Sequence, residues 1–193
     1  MQRICVFCGS QSGFRDEYAE QARLLGRTLV QQNIGLVYGG GRVGLMGEIA
    51  DTVLAEGGQV TGIIPSALVS KEIAHEGLTE LRVVDSMHER KALMATLSDG
   101  FIALPGGFGT LEELFEVITW GHLGLHDKAF GLLNVENYYA PLIALLDHAQ
   151  VEGFVSAAQR TFIIEEEDPV RLLKRMESWY PPHQRQWISS EET

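Results

Sequence analysis

Positive charge is scarce in this sequence. Against 26 aspartates and glutamates stand 15 lysines and arginines, leaving a formal charge of −11 over 193 residues. Such a chain lacks the broad basic surface that polyanionic nucleic acid requires, so nucleic acid is excluded as a partner. A small anion is still admissible wherever a helix N-terminus or a few arginines create a local positive spot. Lysine is rarer still: only Lys71, Lys91, Lys128 and Lys174 are present. None sits in a pattern suited to a Schiff base with pyridoxal phosphate, which argues against a decarboxylase of that type. Cysteine is limited to Cys5 and Cys8. They form a C-x-x-C inside a predicted strand, where residues three apart point to opposite faces, and they are read as core thiols. With no second pair, a four-ligand zinc site has no basis. Long apolar runs are also missing, and MQRICVFCGS has neither a charged n-region nor a long h-region. The expectation is a cytoplasmic chain without a membrane partner.

What is present is alternation. Predicted strands at Arg3–Cys8, Gly35–Tyr38, Gln59–Ile64, Leu81–Val84, Phe101–Leu104, Ala129–Leu133 and Thr161–Ile164 are mostly followed by helical patterns, the first over Asp16–Gln32. Their apolar runs lack polar alternation, as in strands buried on both faces. These features predict an α/β fold, a Rossmann-like doubly wound parallel sheet with helices on both faces. Residues 1–180 are expected to form one domain, with 181–193 as a C-terminal tail.

Two glycine turns stand at strand ends. Gly39, Gly40, Gly41 and Gly44 formally satisfy G-x-G-x-x-G, but the following strand ends Ile63-Ile64-Pro65 without the acid that a dinucleotide ribose needs, so no nicotinamide or flavin cofactor is expected. Those glycines either admit another ligand or serve the turn alone. At Phe101–Phe115 an apolar strand breaks at Pro105, Gly106, Gly107 and Gly109, and a helix is predicted from near Thr110. Such a junction aims backbone N–H groups and the positive helix end at one point, where a phosphate can sit. The alternative is ordinary turn chemistry.

Between the turns, Ser86–Asp99 reads as a helix capped by Ser86. Arg90 falls in the middle of its apolar face, where a guanidinium needs either a structural ion pair or an anion. Lys91 lies at the edge of that face and is expected at the surface. Thr110-x-x-Glu113 matches a capping box, a purely structural role for Glu113, with Glu112 then turned to solvent. His122 and His126 are four apart, but no third metal ligand accompanies them, and no metal site is expected.

The segments GGGRVGLMG (39–47), MHERK (87–91) and PGGFGTLEE (105–113) together resemble the LONELY GUY family of cytokinin riboside 5'-monophosphate phosphoribohydrolases, formerly labelled lysine decarboxylases. The resemblance implies hydrolysis of the N-glycosidic bond of an AMP-like nucleotide, with no cofactor. It implies Arg90 and Glu113 as the catalytic pair and a homodimer like the shorter members. Substrate contacts are expected from Gly40, Gly41, Lys91, Gly106, Gly107, Gly109 and Thr110, and an apolar base pocket from Met46 and Met94. A nucleotide-binding or sensing module on the same fold, without hydrolysis, is the rival reading.

Overall fold

The computed structural model describes residues 1–69 and 74–181. Strand and helix alternate as β1 (Arg3–Phe7), α1 (Asp16–Gln31), β2 (Gly35–Tyr38), α2 (Gly44–Ala55), β3 (Val60–Pro65), β4 (Glu80–Val84), α3 (Met87–Thr96), β5 (Gly100–Ala103), α4 (Phe108–Leu123), β6 (Ala129–Leu133), α5 (Ala140–Val151), the short α6 (Ala157–Arg160), β7 (Ile163–Glu166) and α7 (Pro169–Glu177). The seven strands form one sheet in the order β4-β3-β2-β1-β5-β6-β7. Every neighbouring pair is parallel.

Burial on both faces follows from the strand period. In β1, Ile4 and Val6 enter one core cluster, with Leu25 and Leu29 of α1, Ile49 and Val53 of α2, and Leu172 of α7. Cys5 and Phe7 enter the other, with Met94 of α3 and Leu114, Val117 and Ile118 of α4. Cys8 rejoins the first cluster, so the two cysteines face opposite layers as expected, and both are free thiols. Each fully buried leucine or isoleucine contributes about 1.5–3 kcal/mol.

The chain winds outward from β1 to β4, then returns to place β5 on the other side of β1. The connections leaving these two central strands therefore diverge to opposite faces, which opens a crevice at the C-terminal rim. The predicted strands reappear within one or two residues. The last begins two residues later than expected because Thr161 is the C-cap of α6. Residues 182–193 of the expected tail lie outside the described residues.

Candidate active site at the switch point of the sheet

The loop Gly9–Gly13 after β1 and the turn Pro105–Gly107 after β5 face each other across this crevice. With Tyr18, Leu45 and Tyr138 they line a cavity of about 300 Å³. The Gly9 N–H donates to the Pro105 carbonyl at 3.0 Å and ties the two loops together. The start of α2 supports the first loop at such close range that a Cβ on Gly44 (φ +59°) would lie 2.3 Å from the Ser10 carbonyl carbon.

The turn after β5 differs from its expected form. Its helix begins at Phe108, with Gly107 as an N-cap that has no side-chain hydrogen bond. Thr110 is thus the third helical residue and buried, Glu113 stands in the second turn, and no capping box forms between them. Backbone N–H groups at the start of α4 are consequently left without a side-chain cap beside the cavity, the arrangement that favours an anion. Gly106, Gly107 and Gly109 do not adopt positive φ. Gly106 is required by close packing, since a Cβ there would meet Thr110 Oγ1 at 2.1 Å, whereas a Cβ on Gly107 or Gly109 would meet nothing within 4 Å.

Arg90 is 5% exposed. Its helix is capped as expected by Ser86, whose Oγ accepts from the Glu89 N–H. The Arg90 Nε donates to the Ile63 carbonyl at 3.1 Å and Nη2 to the Gly39 carbonyl at 2.9 Å, so the guanidinium grips the ends of β3 and β2. The expected surface position of Lys91 is not observed. Its side chain is buried, and Nζ bonds Glu112 Oε1 at 2.5 Å and Glu116 Oε1 at 2.9 Å. Burial pulls the ammonium pKa down, but the two carboxylates outweigh it and hold it above the ordinary lysine value. Glu112 is therefore an exposed residue with a partner rather than a purely solvated one.

Glu113 is half-buried on α4. Burial drives the Cys5 thiol pKa up, the Glu113 charge adds to that rise and the Arg90 charge opposes it; Cys8 is raised by burial first and by Glu113 second. Both candidate catalytic charges thus act on Cys5, in the middle of β1.

The remaining candidates spread out. Gly40, at φ +77°, accepts from the His75 N–H through its carbonyl, and Gly41 forms an isolated bridge with Ala74. Met46 and Met94 are buried in opposite core layers, and Leu45 takes the place on the cavity wall. The loop from Ser10 to Gly13, between β1 and α1, supplies much of the cavity. Its small residues after a central strand were the available signal. Tyr138 gave none. Lys128 donates to the Ala95 carbonyl ahead of β6, at the end of the sheet opposite the crevice. His126 bonds the Val117 carbonyl while His122 packs edge-on against Phe162.

A family model described as possible lysine decarboxylase matches residues 46–176. The chain is 54% identical to the probable cytokinin riboside 5'-monophosphate phosphoribohydrolase LOGL1 of Oryza sativa subsp. japonica, over 94% of this chain and 82% of that protein. It is 51% identical to cytokinin riboside 5'-monophosphate phosphoribohydrolase LOG1 of Arabidopsis thaliana, over 95% of this chain and 86% of the relative. The chain belongs to the LONELY GUY family. All three segments that carry the family resemblance lie at the same rim: the turn after β2, the first half of α3 and the turn after β5. Among solved structures, the protein designated TM1055 superposes with a TM-score of 0.71 at 19% identity, covering 93% of this chain and all of that one. The molybdenum cofactor carrier protein of Chlamydomonas reinhardtii does so at 0.69 and 17%, covering 92% and 99%. At such identities these two bear on the fold alone.

Proposed function

We propose that this LONELY GUY protein hydrolyses the N-glycosidic bond of an adenosine 5'-monophosphate bearing an N6 substituent, the cytokinin-activating reaction named for its relatives. Water adds its hydroxyl to the anomeric carbon and its remaining proton goes to the base, giving free base and ribose 5-phosphate. The observation that carries this reading is the relation between Glu113 and the uncapped start of α4. From Gly107 to Glu113 the helix advances roughly 9 Å, so one rigid element carries both the uncapped N-terminus and the carboxylate. Binding energy from the phosphate thereby orients the sugar for reaction.

In this reading Gly107, Gly109 and Thr110 hold the phosphate, and Glu113 stabilises oxocarbenium character on the ribose while orienting or deprotonating water. Arg90 orients Glu113 or meets the departing base. Leaving-group protonation falls to water or to hydrogen bonds on the base. Purified protein is expected to release base from an N6-modified AMP and not from the matching nucleoside. Equal hydrolysis of both would remove the phosphate anchor, and nucleotide binding without base release would favour the sensing module.

The protein is further proposed to act as a cytoplasmic homodimer. Among the described residues no helix is long and apolar enough to cross a membrane. None of the residues of α5 is fully buried, and Leu145, Val151 and Phe154 along and beyond it are exposed, a face suited to a second copy. A solution mass twice the chain's 21.3 kDa is expected by light scattering.

A further inference from the structure

Tyr138 lies after β6, outside all three family motifs. Its hydroxyl donates to the Gly106 carbonyl at 2.5 Å, and its ring forms part of the cavity wall. Tyr139 beside it is buried and donates its hydroxyl to the Leu104 carbonyl at 2.6 Å. The carbonyl between these two, that of Pro105, accepts from the Gly9 N–H. Three successive carbonyls of the turn are thus each engaged by a donor. An anion at a helix start is stabilised by N–H dipoles and destabilised by any carbonyl oxygen that turns towards it. Engaging all three carbonyls leaves the start of α4 to present donors.

The segment that carries Tyr138 is built at a cost. Glu136 and Asn137 are consecutive non-glycine residues in the left-handed region, at φ 51° and 57°, a strained arrangement that persists only where the surroundings over-determine it. Asn134, 2% exposed, supplies that constraint. Its Oδ1 accepts from the Tyr139 N–H and its Nδ2 donates to Glu165 Oε1, both at 2.8 Å. From the other side Tyr18 of α1 meets the Tyr138 ring edge-on, with centroids 6.0 Å apart. Strained backbone, a buried polar anchor and an aromatic neighbour converge on Tyr138, an exposed residue at the rim of the cavity.

We propose that Tyr138 is a positioning residue for the substrate phosphate: its hydroxyl holds the Gly106 carbonyl out of the anion's field and fixes the turn that opens α4. The proposal rests on the phosphoribohydrolase reading and names a determinant of its phosphate selectivity.

Tyr138→Phe tests it, because the ring and its contact with Tyr18 are kept and only the hydroxyl is lost. The KM for an N6-modified AMP is expected to rise about tenfold, the worth of one engaged carbonyl, with kcat changed less than about twofold. Calorimetric titration with ribose 5-phosphate and with inorganic phosphate should show the same weakening, while free adenine binds unchanged. Tyr139→Phe, which removes a fully buried hydroxyl, should instead lower the melting temperature. A KM and phosphate affinities within about twofold of wild type would overturn the proposal, as would a fall in kcat at constant KM. If the wild-type protein releases no base from any nucleotide, the enzymatic reading fails, and the phosphate titrations still decide the role of Tyr138.

Discussion

A Cβ on Gly39 would stand 2.1 Å from Nη2 of Arg90. The guanidinium therefore rests against bare backbone at the end of β2, where it also bonds the carbonyl of that glycine. A charged group that cannot deprotonate is held in the interior by strand-end carbonyls, and the glycine is what lets it come close enough.

Gly39→Ala is accordingly expected to displace Arg90 and to leave the Ile63 and Gly39 carbonyls without their donor. Loss of about 1–3 kcal/mol of stability should follow, together with at least about a tenfold fall in kcat. Thermal melts and base-release kinetics check the two effects separately.

Glu113→Gln preserves shape and removes the negative charge. A fall in kcat of about 10²–10⁴-fold with an unchanged melting temperature is the expected result. Full activity in this variant, measured by base release, would take Glu113 out of the chemistry.

Gly109→Ala should separate stability from binding. The position lies in the first turn of α4 and faces open space, so alanine is expected to stabilise the helix by about 0.5–1 kcal/mol. The same methyl group would intrude where a phosphate approaches the backbone, and KM should rise several-fold. A parallel gain in melting temperature and loss in substrate affinity is the signature to look for.

Lys91 ties α3 to Glu112 and Glu116 of α4, and its pKa lies above the ordinary 10.5. A raised lysine pKa means stability that is fully present below pH 10.5 and is lost as pH rises through the folded-state value. Lys91→Met should thus be less stable than wild type by about 1–3 kcal/mol at neutral pH. Denaturant titrations on the alkaline side of pH 10.5 should find the difference shrinking.

The sheet was legible in the sequence because its strands are buried on both faces, so uninterrupted runs such as Phe101–Leu104 mark them without reference to tertiary contacts. The inward position of Arg90 was legible for a related reason, since one helical period places it among Met94 and Leu97. Around α4 the local signals conflicted. Thr110-x-x-Glu113 has the spacing of a capping box, but the helix starts earlier, at Phe108 with Gly107 as its N-cap, so Thr110 lies inside the first turn rather than ahead of it. Lys91 was misplaced because its partners stand on another helix, 21 and 25 residues onward. Tyr138 was invisible for the same reason: only the order of strands brings it to the cavity.

The two halves of the crevice are far apart in synthesis. The central strand β1 finds β2 early, with Arg3 opposite Gly35, but its other side stays open until Gly100–Ala103 arrives to pair with Ile4–Phe7. A nascent chain that has not reached β5 carries an apolar, unpaired edge in what becomes the middle of the sheet, where association with other chains competes with folding. No N-terminal fragment ending before α4 can hold the crevice, and its wall is finished only when Tyr138 has been made.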